Sequence, residues 1–348
     1  MKKHAIIPVF IPHEGCPNDC VFCNQKKITA RQEPVHAEDV RNIIENYLPT
    51  LSGRGLEMIE VAFFGGSFTG ILMEKQSEYL SVAKEYKDKG LIQKIHLSTR
   101  PDYINTEILD NLKFYGVDTI ELGVQSFDDD VLKASNRGHS SSAVYKSCDL
   151  IKAYGFELGI QLMIGLPGDT MEKSLYSARE TVKIKPSIAR LYPTVIIDDT
   201  ELLNMYLRGE YKALSQEEAL ETTKEMYKIL TAAGINIIRV GLKSTDIINE
   251  NGAVTGGTYH PAFRQLVEGR IAREILEEKL NQLLNAASGD VPSRITFESC
   301  GTSFSNMVGN KKCNKIYFAE HYPGLKIRFS VNQSLAEGDY QLWGSQIP

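Results

Sequence analysis

The chain has 348 residues, of which 42% are hydrophobic and 24% charged, and a net charge of −5. That length suits one large α/β domain or one plus a small appendage, and the balanced composition excludes a low-complexity or disordered chain. The negative balance excludes bulk attraction to polyanions, so DNA is not an expected partner and any RNA contact must be a local basic patch.

Lys2 and Lys3 precede an apolar run, but Pro8, Pro12 and His13 end it too early for a secretory leader. No later run approaches the length of a membrane span, so no membrane contact is expected. Ala5 to Ile11 is short, β-branched and apolar, which predicts a buried strand. Ala37 to Leu48 places Val40, Ile43, Ile44 and Leu48 on one helical face. Strands are then predicted at Met58 to Phe64, Lys94 to Ser98, Thr119 to Val124, Glu157 to Ile164 and Ser187 to Tyr192. Helices fall between them, around Glu74 to Lys87, Thr106 to Tyr115, Ser141 to Tyr154 and Met171 to Lys183. Six alternations of strand and helix predict a parallel sheet covered by helices, either a barrel or an open doubly wound sheet, with ligands at the C-terminal strand ends. Further helices are read at Thr200 to Gly209 and at Ser215 to Ala233, the latter opened by a Ser215–Glu218 capping box. Asn236 to Val240 is another apolar strand, in which Arg239 faces either the site or the core edge.

Between the first strand and the first helix stands Gly15-Cys16-Pro17-Asn18-Asp19-Cys20-Val21-Phe22-Cys23-Asn24. It holds three of the six cysteines. Cysteines grouped in one loop read as metal binding in a reducing cytoplasm rather than as a disulfide framework. Three thiolates suit an iron–sulfur cluster or another soft metal centre, and an electron-transfer cubane takes four cysteines. A cubane held by Cys16, Cys20 and Cys23 therefore keeps one iron open for a non-protein ligand. A zinc loop with His13 as fourth ligand is the alternative that the cysteines alone leave open. Cys148, Cys300 and Cys313 are scattered and lack ligand spacing, so no second cluster is read.

The Cys-x3-Cys-x2-Cys spacing, with Phe22 before the last cysteine, resembles the radical S-adenosyl-L-methionine (SAM) superfamily. The resemblance implies a [4Fe-4S] cluster whose open iron chelates SAM. One electron then cleaves SAM to methionine and a 5′-deoxyadenosyl radical, which abstracts hydrogen from a substrate. It also implies the fold of the first two-thirds, a partial (β/α)6 TIM-type barrel over residues 1–247; from Ile248 the sequence pattern changes, and 248–348 read as a linker, a long helix and a small C-terminal α+β domain.

Four strand-end stretches carry the resemblance further. Gly65-Gly66-Ser67 is a turn whose backbone can approach a ligand. Ser98-Thr99-Arg100-Pro101-Asp102 supplies a guanidinium able to hold a carboxylate by two hydrogen bonds. Gly123-Val124-Gln125-Ser126-Phe127 leads to Asn136-Arg137-Gly138-His139, and Gln161 stands on a strand that ends in Gly165-Leu166-Pro167-Gly168. Each alone is equally an ordinary β–α turn, a satisfied amide or a surface arginine. Together they resemble the branch that holds oxygen-independent coproporphyrinogen oxidase and the catalytic subunit of Elongator. Ser98 to Asp102 and Arg190-Leu191-Tyr192-Pro193-Thr194 lean toward Elongator. By that resemblance Phe22 packs near adenine, and Gly65, Gly66 and Ser67 lie along the methionyl group. Gln125, Arg137 and Gln161 contact ribose or carboxylate. Ser98 and Gln161 stand where relatives carry acids.

The last third is polar and glycine-rich at Asn249 to Gly252 and at Thr255 to Gly257. His260 opens a helix running to about Leu284 and reads as a substrate-facing residue or a helix cap. Strand, helix, helix, strand and strand follow from about Asp290. They include Gly309-Asn310-Lys311-Lys312-Cys313-Asn314-Lys315, either a phosphate clamp or a solvated loop. That remainder is too short for the acetyltransferase domain of the Elongator subunit. The expected function is a cytoplasmic radical SAM enzyme acting on RNA, tRNA foremost, with a one-electron reductant such as flavodoxin or ferredoxin. The alternatives are a radical SAM enzyme for a small molecule or peptide, and a cluster-bearing binding protein without turnover.

Overall fold

The computed structural model describes residues 3–11, 15–16, 20–24, 35–242, 252–286 and 292–345. The chain divides into two compact units, Met1–Pro261 and Ala262–Pro348. The expected boundary after residue 247 lies outside the described residues.

The first unit begins with β1 (His4–Ile11), α1 (Ala37–Leu51), β2 (Met58–Gly65), α2 (Met73–Asp88), β3 (Lys94–Thr99) and α3 (Thr106–Phe114). It continues through β4 (Thr119–Gln125), α4 (Asp129–Ala134), α5 (Ser141–Ala153), β5 (Glu157–Ile164), α6 (Met171–Ile184) and β6 (Ile188–Pro193). It ends with β7 (Val195–Ile197), α7 (Glu201–Leu207), α8 (Gln216–Ala232), β8 (Asn236–Val240) and β9 (Val254–Gly257). One parallel sheet runs β1-β2-β3-β4-β5-β6-β8. Among the described residues β1 and β8 pair on one side only, so the sheet curls without closing: a partial TIM-type barrel. Its seventh strand, beyond the six alternations, is the one read at Asn236 to Val240. β7 and β9 form a separate antiparallel pair, placing a strand where the sequence suggests only a glycine-rich linker.

Alternation along the strands sorts the side chains. Ile7, Val9, Val61, Phe63, Ile95, Leu97, Ile120, Leu122, Ile160 and Leu191 are buried, the apolar half that the covering helices need. The intervening residues include Glu60, His96, Ser98, Glu121, Gln125, Gln161 and Arg190. A barrel interior is usually packed with branched apolar side chains. This one instead carries buried acids, a histidine and an arginine.

The second unit holds α9 (Phe263–Ala286), β10 (Arg294–Ser299), α10 (Phe304–Val308), α11 (Cys313–His321), β11 (Lys326–Val331) and β12 (Tyr340–Ser345). Its sheet is ordered β11-β10-β12, and Leu276, Leu280, Ile295, Phe297, Met307 and Phe318 form its core. Trp343, on β12 next to the inward Leu342, is 51% exposed. Among the described residues no helix is long and apolar enough to cross a membrane.

Candidate functional site

The cysteine loop is held from both sides. Val21 donates its N–H to the Ser135 carbonyl at 3.2 Å and accepts from the Leu202 N–H at 2.7 Å. Its side chain is buried with Ile196, Leu202 and Tyr211, and Phe22 packs against that group. Gly15 and Gly70 face each other so closely that a Cβ on either would meet the other segment's backbone, at 2.1 Å and 2.2 Å. The start of the loop is thereby pinned to the turn after Gly65-Gly66-Ser67. There Cys16 Sγ lies 3.5 Å from Ser67 Oγ. Cys20 is buried, and Cys16 and Cys23 are half-buried.

These residues open onto one cavity of about 440 Å3, inside the usual range for ligand pockets. It is lined by Cys16, Cys20, Phe22, Cys23, Gly65, Gly66, Ser67, Ser98, Arg100, Gln125, Arg137 and Gln161, so every site residue expected from the sequence borders the same space. His260 does not border it, and His13 lies outside the described residues. Cys148 is buried in α5, where burial pushes its thiol up to about 12. Cys300 and Cys313 belong to the second unit, as do Lys311, Lys312 and Lys315. Lys311 and Lys312 are exposed in the turn before α11, and Lys315 lies over the Phe329 ring.

Arg137 bridges loop and sheet. Its Nη1 is 3.3 Å from Cys20 Sγ, and its Nη2 donates to the Gly123 carbonyl at 2.6 Å. Gly123 makes this possible, since a Cβ there would lie 2.9 Å from Arg137 Nη2. Gln125 ends β4 with φ +71, a strained backbone for a side chain of this type, and its Oε1 is buried without a hydrogen-bond partner among the described residues. Arg100 differs from the expectation. Its fork is already filled by Asp102, at 3.0 Å and 2.8 Å, which leaves Nη1 as the buried donor without a partner among the described residues.

Behind this front is a polar layer that the sequence reading missed. Glu121 is fully buried and central to it. Gln161 donates its amide to Glu121 and, at 3.3 Å, to Ser98 Oγ. Arg190 Nε stands 2.8 Å from Glu121 Oε2, an ion-pair distance without hydrogen-bond alignment. His96 lies between Glu121, at 3.6 Å, and Glu60, at 3.4 Å. Burial opposes the charge on His96, but Glu121 and Glu60 outweigh it and raise the imidazole to about 9. Burial likewise opposes the charge on Glu121, while Arg190, then His96 and Gln161, hold it at about 2. A carboxylate, that of Glu121, thus stands beside both Ser98 and Gln161, one strand over from each. The legible signal was the alternation in Lys94 to Ser98 and Thr119 to Gln125, which sets His96 and Glu121 among apolar neighbours.

The residues present fit a cluster and SAM. Three thiols from one loop are the donor set for a cubane with an open iron. Beside them the cavity offers an orphaned acceptor, Gln125 Oε1, and an orphaned donor, Arg100 Nη1, for a polar ligand.

A parallel half-barrel with a three-cysteine loop after its first strand defines a class, and the sequence comparison agrees with it. Residues 10–177 match the radical SAM superfamily and residues 186–273 the radical SAM C-terminal domain. The chain belongs to the radical SAM superfamily, whose cofactors are a [4Fe-4S] cluster and SAM. Within it, the chain is 29% identical to the tRNA uridine(34) acetyltransferase of Methanocaldococcus infernus, over 62% of this chain and 48% of that protein. It is 27% identical to the heme chaperone HemW of Lactococcus lactis, over 64% of this chain and 58% of that protein. The structure of Methanocaldococcus infernus Elp3 lacking its N-terminus shares the fold, with a TM-score of 0.63 and 23% identity over 79% of this chain and 64% of that one. The chain thus spans about half the length of the acetyltransferase relatives it matches.

Proposed function

We propose that this protein is a radical SAM enzyme acting on RNA, with tRNA as the first substrate to test. The observation that carries the reading is the single cavity shared by Cys16, Cys20 and Cys23 and the strand-end polar residues. In this reading the three cysteines hold the cluster and Phe22 packs by adenine. Gly65, Gly66 and Ser67 run along the methionyl group. Gln125 Oε1 accepts from a ribose hydroxyl, Arg100 Nη1 donates to the carboxylate, and Arg137 ties the ligand to the Cys20 side of the loop. Ser98 and Gln161 face the same ligand from the barrel wall, oriented by Glu121. Bound there, the cluster and SAM supply reductive cleavage of a sulfonium and a radical that removes hydrogen from carbon. The protein works in the cytoplasm and takes its electron from a small carrier such as flavodoxin or ferredoxin. The tRNA assignment is supported by the name of the acetyltransferase relative.

Anaerobic reconstitution with iron, sulfide, SAM and a chemical reductant tests this. Bulk tRNA is expected to accelerate 5′-deoxyadenosine formation, and added salt to weaken the effect as phosphate contacts are screened. Acceleration by no RNA would remove the RNA assignment. The likeness to HemW supports a second reading, a cluster-bearing heme carrier. Tight heme binding without any 5′-deoxyadenosine formation would select it.

A further inference from the structure

The residue that the function above leaves unused is Arg239. β6 and β8 run in register as far as Ala189 and Ile237, and the next pair is Arg190 with Arg239, so Ile238 is extra. In a regular strand Ile238 and Arg239 would point to opposite faces. Across this bulge both border the cavity, while Ile237 and Val240 stay buried in the apolar half. Bulges re-aim side chains beside active sites. Here the bulge turns a guanidinium inward.

The charge of Arg190 is met by Glu121. Among the described residues Arg239 makes no hydrogen bond or ion pair to balance its charge, although it is half-buried in the cavity wall. Withdrawing a charge from water without a partner is costly, and an anionic ligand would offset that cost. Phe10, Phe64, Ile238 and Leu242 add apolar surface to the same cavity, Phe10 and Phe64 from β1 and β2 and Ile238 from β8. The Arg190 guanidinium lies 4.8 Å over the Phe64 ring. In the sheet, β8 stands three strands from β4, which bears Gln125, so Arg239 and Gln125 enter the cavity from different strands of its wall.

We propose that Arg239, assisted by Arg190, forms an anion subsite that holds the phosphate of a nucleotide whose base lies against Phe10 and Phe64. The assignment deepens the RNA reading and rests on it. The shared chemistry is a phosphate beside a flat ring, whether from an RNA chain or from a free nucleotide.

The test uses the reconstituted, SAM-loaded protein and equilibrium binding of uridine 5′-monophosphate, uridine, and a short single-stranded oligoribonucleotide. Uridine is chosen because its base does not imitate the adenine of SAM. The monophosphate is expected to bind about tenfold more tightly than uridine, and Arg239→Gln to abolish that difference. Arg239→Lys, which keeps the charge but loses the fork, is expected to keep part of the preference and answers the question if the glutamine variant does not fold. Equal binding of monophosphate and uridine by the native protein would overturn the proposal. So would an unchanged preference in Arg239→Gln, or SAM binding weakened as much as monophosphate binding, which would assign Arg239 to the SAM carboxylate. No binding of any probe would overturn it too. Arg239-dependent binding of the oligoribonucleotide names RNA as the phosphate source. Arg239-dependent binding of the monophosphate alone keeps the subsite and removes the RNA reading.

Discussion

His96 shows how much of the site rests on pairs that no local stretch contains. Its partners Glu60 and Glu121 come from the two flanking strands. Because its value is raised from 6.5 to about 9, the stabilisation it gives is complete below 6.5 and disappears as pH climbs through 9. The free energy of unfolding in urea is therefore expected to fall between those limits, and His96→Gln to flatten that part of the profile. A native profile that rises over the same range would refute the ionised pair. The cavity-lining residues could be picked out because most stand at strand ends, where a parallel α/β fold binds its ligands: the cysteines follow β1, Gly65 to Ser67 close β2 and Gln125 closes β4, whereas Arg137 follows α4. The layer behind them could not be, because a lone Glu or His among apolar neighbours has no meaning until the adjacent strand is known.

At the scale of elements, helices and strands with a strong local pattern stand where periodicity puts them. The capping box is an instance: Ser215 Oγ accepts from the Glu218 N–H at 3.2 Å, and the Glu218 carboxylate accepts from the Ser215 N–H at 2.8 Å. Ser215→Ala is expected to cost about 1 kcal/mol in denaturant unfolding without altering SAM binding. A loss too small to measure would mean that packing alone holds α8. Short elements escaped the sequence reading. α4 spans only Asp129–Ala134, and although Asp128 caps it through the Val131 N–H at 3.0 Å, six residues show too little periodicity to read. β7 and β9 are separated by more than fifty residues, and Val254–Gly257 is half glycine. The bulge in β8 has no local signature either, since it exists only relative to β6.

At the scale of the molecule, two units with separate cores imply separable stabilities. Phe297 is completely buried in the second unit, with Phe318 at 4.8 Å and Phe329 at 5.4 Å between ring centres. Phe297→Ala is expected to destabilise that unit by about 3–5 kcal/mol. Differential scanning calorimetry should then show one transition moved and the other nearly unchanged. A single shared shift would mean that the units unfold together. A polar, glycine-rich stretch of sequence such as Asn249 to Gly252 can suggest a join but cannot fix the residue at which one unit ends, because that depends on contacts distant in sequence.

The chain's only indole is that of Trp343, on the edge strand of the second unit. Selective excitation of tryptophan emission is consequently a reporter planted in the second unit, recording the melting of its three-stranded sheet. The brown iron–sulfur colour expected of the reconstituted first unit would report on the other unit. A single sample, watched in the two optical windows, can thus say which unit lets go first.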